Sequence, residues 1–172
     1  VPMLGEGDHE TAWTLLAQLN DILAQDLKDP HGRFSGSLDH QFALQLRTLC
    51  EMRAWLLKRP QSDDNAEMDS ELKKTVALIY GHVQSIGLLR PNNHGIMLGI
   101  SLLHSFYMFE DVPWNPSGQS SESGRNEVEE FLLESLFSVL GTDGVANENT
   151  PIYQGFYLKP VSYTHLTLPT TP

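Results

Sequence analysis

The segment Arg90-Pro-Asn-Asn-His-Gly95 combines residue types that can bind an anion. It directly precedes the most apolar stretch of the chain, residues 95–109, which predicts a buried helix that begins here. Helix capping explains one asparagine, but not a second asparagine followed by histidine. Side chains at a helix N-terminus lie beside unpaired backbone N–H groups and a partial positive charge. The segment therefore suits a carboxylate ligand.

A second polar segment, residues 141–153, follows the last helical pattern and ends at Tyr153. Its polar side chains include those of Asp143, Asn147, Glu148 and Asn149. A capped turn into another helix explains the same residues, with Thr150 as the N-cap and Pro151 at the first helical position. On its own, this segment leaves a functional and a structural interpretation open.

Five stretches with helical periodicity must position these segments, and we predict helices that begin near residues 11, 39, 69, 95 and 126. Thr11 is the expected N-cap of the first helix, and residues 61–65 and 115–124 are expected to be loops. The fourth helix is apolar nearly all round, which predicts burial on all sides. No stretch predicts a strand, so the fold class is all-α, built of antiparallel helices. A bundle, a helical solenoid and an α/α toroid all fit this pattern.

Composition limits the classes of function. The 172 residues include 22 acidic and 11 basic side chains, a formal charge of −11 that argues against nucleic acid or anionic membrane as a partner. The apolar run 95–109 is shorter than the roughly 20 residues that span a bilayer. The single cysteine, Cys50, excludes an internal disulfide and is expected in the core. The histidines show no short ligand spacing, so we predict neither a metal site nor a cofactor.

Together, Asn92-Asn93-His94-Gly95 and Asp143-Gly144…Glu148-Asn-Thr-Pro-Ile-Tyr153 resemble motifs of the heparinase II/III-like polysaccharide lyases, a group that includes some alginate lyases. The earlier stretch Asp39-His-Gln-Phe-Ala-Leu-Gln-Leu-Arg47 is similar to one that this family carries on a preceding helix. The resemblance covers about residues 38–159. It implies antiparallel helical hairpins that form part of an incomplete α/α toroid over residues 1–159, with the family's C-terminal β-sheet domain missing from this chain.

The resemblance also implies an activity, the β-elimination of a polysaccharide that contains uronic acid. The proton at C5 of the uronate is removed and the 4-linked sugar is expelled. By position, Asn93 and His94 correspond to the pair that neutralises the substrate carboxylate, and Tyr153 to the catalytic tyrosine. Arg90 and His40 are the substrate-binding candidates. The family often has histidine directly after the tyrosine, whereas this chain has Gln154.

An acidic protein is an unexpected partner for a polyanion, but much of the acidic excess falls on predicted solvent faces. Those residues are Asp63, Asp64, Glu67, Asp69, Glu71, Glu127, Glu129, Glu130 and Glu134. Local basic groups matter more than the total charge. We therefore expect a weakly charged uronate polymer before a heavily sulfated one.

Two other functions are compatible with the sequence. A glycoside hydrolase on the same helical toroid would use paired carboxylates, for which Asp143 and Glu148 are the candidates. Neither residue explains Asn93 and His94. A non-catalytic helical scaffold or sugar-binding domain would use the two segments only as caps.

The C-terminal residues 160–172 differ from the rest of the chain. They carry no Asp, Glu, Lys or Arg, and five of the thirteen are serine or threonine. This run resembles a translated sequencing adapter, and we predict a non-native tail, with a Thr/Pro-rich strand or linker as the alternative. The family resemblance, and nothing else in the chain, implies a periplasmic or secreted bacterial protein.

Overall fold

A computed structural model describes residues 9–28, 38–114 and 118–139. The described residues form helices and no strand: α1 (His9–Lys28), α2 (Leu38–Leu56), α3 (Asp63–Ile86), α4 (Asn93–Met108) and α5 (Ser121–Val139). This confirms the all-α prediction. The segment 141–153 with Tyr153, the boundary at residue 159 and the tail 160–172 lie outside the described residues.

Helices α1 and α3 run side by side in the same direction. At their first turns, Nδ1 of His9 lies 2.8 Å from a carboxylate oxygen of Asp64. Further along both helices, the Thr75 hydroxyl donates a hydrogen bond to Oδ1 of Asn20 at 2.8 Å. Helix α2 lies between α1 and α3 in the sequence and runs back from the end of α1 to the start of α3. Consecutive helices are therefore antiparallel.

Helices α2 and α4 are also parallel to each other, and their interface is the most extensive between any two described helices. Asp39 in the first turn of α2 faces His94 in the first turn of α4. Near the other end, the Arg53 guanidinium donates to the carbonyl of Met108. The structure is thus built of antiparallel hairpins, as predicted. Whether such hairpins close into a toroid stays a prediction.

The core between α3, α4 and α5 is a cluster of three buried aromatic side chains, Tyr80, Phe106 and Trp114. Their ring centroids lie 4.9–5.3 Å apart in tilted and edge-to-face arrangements, the geometry that aromatic pairs prefer. The Tyr80 hydroxyl is hydrogen-bonded to the Ser105 hydroxyl at 2.8 Å, so its burial leaves no unpaired polar atom. Gly124 lets α5 approach this cluster closely.

Two helices begin earlier than predicted. Helix α3 begins at Asp63 rather than near residue 69, capped by the Ser62 hydroxyl, which accepts a hydrogen bond from the Asn65 N–H at 3.2 Å. Its first turn faces solvent and has no apolar stripe, which is why periodicity missed it. Helix α5 begins at Ser121, within the expected loop 115–124. At the start of α1, Thr11 lies inside the helix and is not its N-cap.

The prediction that α4 is buried on all sides is wrong. His104 is exposed and Tyr107 is 51% exposed, so one face of this helix meets solvent. The apolar composition of α4 did not reveal its exposed face, because the half-buried residues on that face are also apolar. Cys50 is buried as predicted, and burial raises the pKa of its thiol to about 12, so the thiol is no nucleophile at neutral pH. Within the described residues, no helix is long and apolar enough to cross a membrane.

Four charged side chains join α2, α3 and the turn after α4. Arg53 lies 2.9 Å from Asp69 and over the ring of Phe109, and Lys73 lies 2.8 Å from Asp69. Asp111 contacts both cations. The hydrogen bond from Lys73 lowers the pKa of Asp111, and the same bond is the main cause of a raised pKa for Lys73. The network ties together the end of the molecule opposite to Asp39 and His94.

Replacing Asp111 by Asn should reduce the free energy of unfolding at neutral pH by less than about 1 kcal/mol, because this carboxylate is 57% exposed. A carboxylate whose pKa is lowered by folding contributes stability above its ordinary pKa, and that contribution is lost as the pH falls through the folded value. Urea unfolding of both proteins should therefore give a difference at neutral pH that vanishes in strong acid. The control is Glu110→Gln, which changes the preceding residue, outside this network. A difference in the free energy of unfolding that stays the same in strong acid would contradict the interpretation.

Replacing Gly124 by Ala should lower the free energy of unfolding by about 1–3 kcal/mol through overpacking. A Cβ at this position would lie 2.5 Å from Cγ of Trp114 and 2.8 Å from Cζ of Phe106. Alanine is the better helix former by about 1 kcal/mol, so the expected sign is opposite to that of helix propensity. Asn126→Ala, at an exposed position of the same helix, should be neutral or stabilising. Equal or higher stability of Gly124→Ala in urea unfolding would refute the close packing.

Candidate functional site

The first turns of α2 and α4 bring four polar side chains together: Asp39 and His40 from α2, and Asn93 and His94 from α4. We call these four residues the paired-helix site. The imidazole rings of His40 and His94 have centroids 5.7 Å apart and are inclined by 45°. Nδ1 of His94 lies 3.5 Å from Oδ1 of Asp39. The predicted site residue His40 therefore lies beside the predicted pair Asn93-His94, although it is far from them in the sequence.

Capping determines which of the two asparagines is free for binding. Asn92 has extended backbone geometry, and its side-chain oxygen accepts the Gly95 N–H at 2.8 Å, so Asn92 is the N-cap of α4. Oδ1 of Asn93 accepts the His94 N–H at 2.9 Å. Among the described residues, the amide nitrogen of Asn93 has no hydrogen-bond partner. The half-buried Asn93 can thus donate hydrogen bonds to a ligand while its oxygen keeps the side chain in place.

Both helices of the site begin with the same local contact. Oδ1 of Asp39 accepts the His40 N–H at 2.9 Å, as Asn93 does for His94. An oxygen-bearing short side chain at this position satisfies one of the four N–H groups that lack a partner at a helix start. The histidine that follows is then placed on the first turn. Because α2 and α4 are parallel neighbours, this Asx-His pattern places the two imidazoles next to each other.

Arg90 contributes its backbone, and its side chain is exposed. The Asn92 N–H donates to the Arg90 carbonyl at 2.7 Å, closing the turn before α4. A Cβ on Gly95 would lie 2.0 Å from that carbonyl oxygen, so glycine is required for the turn to pack against the helix. Within the described residues, no ion pair or hydrogen bond of the Arg90 guanidinium is found. The side chain lies beside the site in sequence without being fixed to it.

The charges at the site differ from the acidic average of the chain: two helix N-termini and the carboxylate of Asp39. The N-termini of two parallel helices meet there, each with a partial positive charge. Helix α4 contains no Asp, Glu, Lys or Arg from Asn93 to Met108. The exposed first-turn acids of α3, Asp63 and Asp64, lie at the opposite end of the molecule because α3 is antiparallel to α4.

Six of the nine predicted solvent-facing acids are exposed, and three are half-buried: Asp69 and Glu71 in α3 and Glu129 in α5. Asp69 lies in the network with Arg53 and Lys73. The periodicity of α3 did not reveal that Asp69 is half-buried, because its partner Arg53 belongs to another helix.

Sequence reasoning missed Asp39 as a contact of His94. The stretch 39–47 indicated His40 only, and the carboxylate before it was not assigned a role. The available signal was the repeated Asx-His dipeptide at the start of two helices, at Asp39-His40 and Asn93-His94. Recognising it requires the knowledge that α2 and α4 are parallel neighbours, which periodicity does not supply.

The other histidines that the structure describes, His9, His82 and His104, lie outside the site. His104 is exposed on α4, and His82 packs edge-on against Phe42 with ring centroids 5.6 Å apart. Burial lowers the pKa of His82. The part of the chain that the structure describes holds no group of three or more His, Cys, Asp or Glu side chains able to bind a metal ion. Tyr153, Asp143 and Glu148 lie outside the described residues.

Replacing Gly95 by Ala should displace the turn at Arg90 and lower the free energy of unfolding by about 1–3 kcal/mol, because the new Cβ meets backbone that cannot rotate away. Gly99→Ala on the same helix is the matched control. There a Cβ would lie 2.9 Å from the flexible side-chain end of Leu132, so a smaller loss is expected. Urea unfolding measures both, and the ring signals of His40 and His94 in NMR spectra should shift only in Gly95→Ala. Unchanged ring signals there would contradict the role of this turn.

A comparison of the chain with protein-family models, curated proteins and solved structures gives no match.

Proposed function

We propose that this chain belongs to a polysaccharide lyase that cleaves uronate-containing polymers by β-elimination, and that the paired-helix site binds the carboxylate of the uronate. The observation that carries the proposal is the meeting of Asn93, His94 and His40 where two parallel helices begin. These are the residues that the motifs indicate, and no metal or cofactor is needed for the chemistry.

The donors at this site suit a carboxylate. The Asn93 amide nitrogen is a neutral donor, and each imidazole can donate a hydrogen bond in a suitable tautomer or when protonated. Two helix N-termini add a partial positive charge that favours an anion. A phosphate or sulfate ester would also be attracted, but the site has no fixed guanidinium among its described residues. It therefore favours a singly charged planar group over a densely charged one.

The same donors can lower the barrier to elimination. Removing the C5 proton leaves its bonding electrons delocalised into the adjacent carboxylate, which becomes enolate-like. Hydrogen bonds from Asn93 and His94 stabilise this developing charge more than the ground state. Those electrons then form the C4–C5 double bond as the C4–O4 bond breaks, and the leaving oxygen is protonated.

Tyr153 is the proposed acid–base group, acting on the C5 proton or on the leaving oxygen. Helix α5 is antiparallel to α4, because Gly124 meets Phe106 and Gly99 meets Leu132. The chain therefore leaves α5 at the end that holds the paired-helix site. The 14 residues from 140 to 153 can extend to roughly 50 Å, whereas neighbouring helix axes are about 8–10 Å apart. Chain length thus permits Tyr153 to reach the site. As a base it needs nearby positive charge, for which Arg90 is the candidate.

The wider proposal follows the family resemblance. The helices form part of an incomplete α/α toroid, an antiparallel β-sheet domain supplies the rest of the cleft, and the protein acts in the periplasm or outside the cell.

Binding can be tested on this chain directly. A trisaccharide of 4-linked uronate should bind at least about tenfold more tightly than a neutral 4-linked trisaccharide, and it should shift the ring signals of His40 and His94 in NMR spectra. Asn93→Ala and His94→Ala should each weaken uronate binding by about tenfold. His104→Ala, which removes an exposed histidine from the same helix, should bind as the unaltered chain does. Equal affinity for both sugars, or equal damage from His104→Ala, would contradict carboxylate recognition at the site.

The reaction is tested on the full gene product that contains this chain. Elimination creates an unsaturated uronate that absorbs in the ultraviolet, and Tyr153→Phe should reduce its formation by about a hundredfold or more. New reducing ends without ultraviolet absorbance would identify a hydrolase instead. Uronate binding without any cleavage would favour the non-catalytic sugar-binding domain.

A further inference from the structure

Asp39 is the one described carboxylate within 4 Å of an imidazole of the paired-helix site. Its side chain is 13% exposed, and its Oδ1 lies 3.5 Å from Nδ1 of His94, whose own side chain is 38% exposed. At this separation the two atoms are in ion-pair contact but are not hydrogen-bonded. Catalytic hydrogen bonds are often long before substrate binds and tighten in the complex. His94 also lies beside the ring of His40, and its backbone N–H donates to Oδ1 of Asn93.

The charge on Asp39 is not explained by the start of its helix. Asp39 in α2 and Asn93 in α4 make the same local contact, an Oδ1 that accepts the next N–H at 2.9 Å. An amide oxygen therefore serves this contact as well as a carboxylate does. The macrodipole favours an anion equally at both helix starts, so it does not explain the difference either. Of these two residues, Asp39 faces His94 from the neighbouring helix, and Asp39 is the one that carries a carboxylate.

We propose that Asp39 is a positioning residue that holds His94 in the Nδ1–H tautomer and leaves Nε2 directed to the substrate. A carboxylate accepts a hydrogen bond but cannot donate one, so it selects the nitrogen that carries the proton. The orientation of the ring is then fixed from α2, while its backbone is held by α4. The inference deepens the proposed function, since it says which nitrogen of His94 meets the uronate.

With Nδ1 protonated, neutral His94 presents an unprotonated Nε2 to the ligand. Nε2 can then accept a hydrogen bond from a sugar hydroxyl. Alternatively, it can take up a proton from solvent and, as Nε2–H, donate a hydrogen bond to the uronate carboxylate. In the second case the imidazolium lies between two carboxylates, those of Asp39 and the substrate, and Asp39 stabilises the positive charge. The uronate carboxylate would then be held by a charged donor rather than by neutral ones alone.

The test uses nitrogen NMR of the imidazoles in the ligand-free chain at alkaline pH, above the ordinary pKa of a histidine side chain. The unaltered chain should give the Nδ1–H pattern for His94. Asp39→Asn keeps an oxygen for the His40 N–H but removes the charge, and it should lower the ratio of the Nδ1–H to the Nε2–H tautomer by about fivefold. Asp63→Asn is the matched control, since it removes a first-turn carboxylate at the opposite end of the molecule and should leave the His94 pattern unchanged.

Asp39→Glu retains the charge and should retain most of the Nδ1–H pattern of His94. If Asp39 had only a structural role, both Asp39→Asn and Asp39→Glu would lose that pattern. A predominant Nε2–H tautomer in the unaltered chain, or an unchanged ratio in Asp39→Asn, would overturn the assignment. Because no sugar is present, these results do not depend on the proposed function. The expected tautomers together with no uronate binding would overturn carboxylate recognition and support the positioning role.

Discussion

The parallel packing of α2 against α4 is the contact on which the candidate site depends. Two consecutive helices of a hairpin are antiparallel, so their N-termini lie at opposite ends. Only alternate helices bring two N-termini to the same end, and only close packing brings them within reach of one ligand. The interface of α2 and α4 meets both conditions, with Asp39 near His94 at one end and Arg53 near Met108 at the other. The intervening helix α3 carries the chain back between them.

The distribution of charge follows from the same topology. Acidic residues favour the first turn of a helix, and α3 places Asp63 and Asp64 there, at the end away from the site. Helix α4 has no acidic side chain, and the one carboxylate at the site, Asp39, faces an imidazole. A net charge of −11 therefore does not describe the electrostatics at the ends of α2 and α4. An acidic net charge therefore does not by itself prevent an anionic ligand from binding at this site.

Much of the fold was predictable from periodicity, because a helix that packs on one side shows its core residues at regular spacing. Five helices in the right order and a buried Cys50 follow from that pattern. The first turns of α3 and α5 did not, since solvent-exposed turns have no apolar stripe. The exposure of Tyr107 was missed for the opposite reason, because apolar residues lie on both the buried and the exposed sides of α4.

The candidate site was predictable residue by residue but not as an arrangement. The residue types in the segment 90–95 indicate Asn93 and His94, and the family resemblance indicates His40. Their meeting is a property of tertiary structure, as is the approach of Asp39 to His94. A carboxylate that the sequence presents as an ordinary first-turn residue gains a chemical role only because the neighbouring helix is parallel and level with it. The same reasoning separates His94 from His104: both lie on α4, but only His94 has a second helix start beside it.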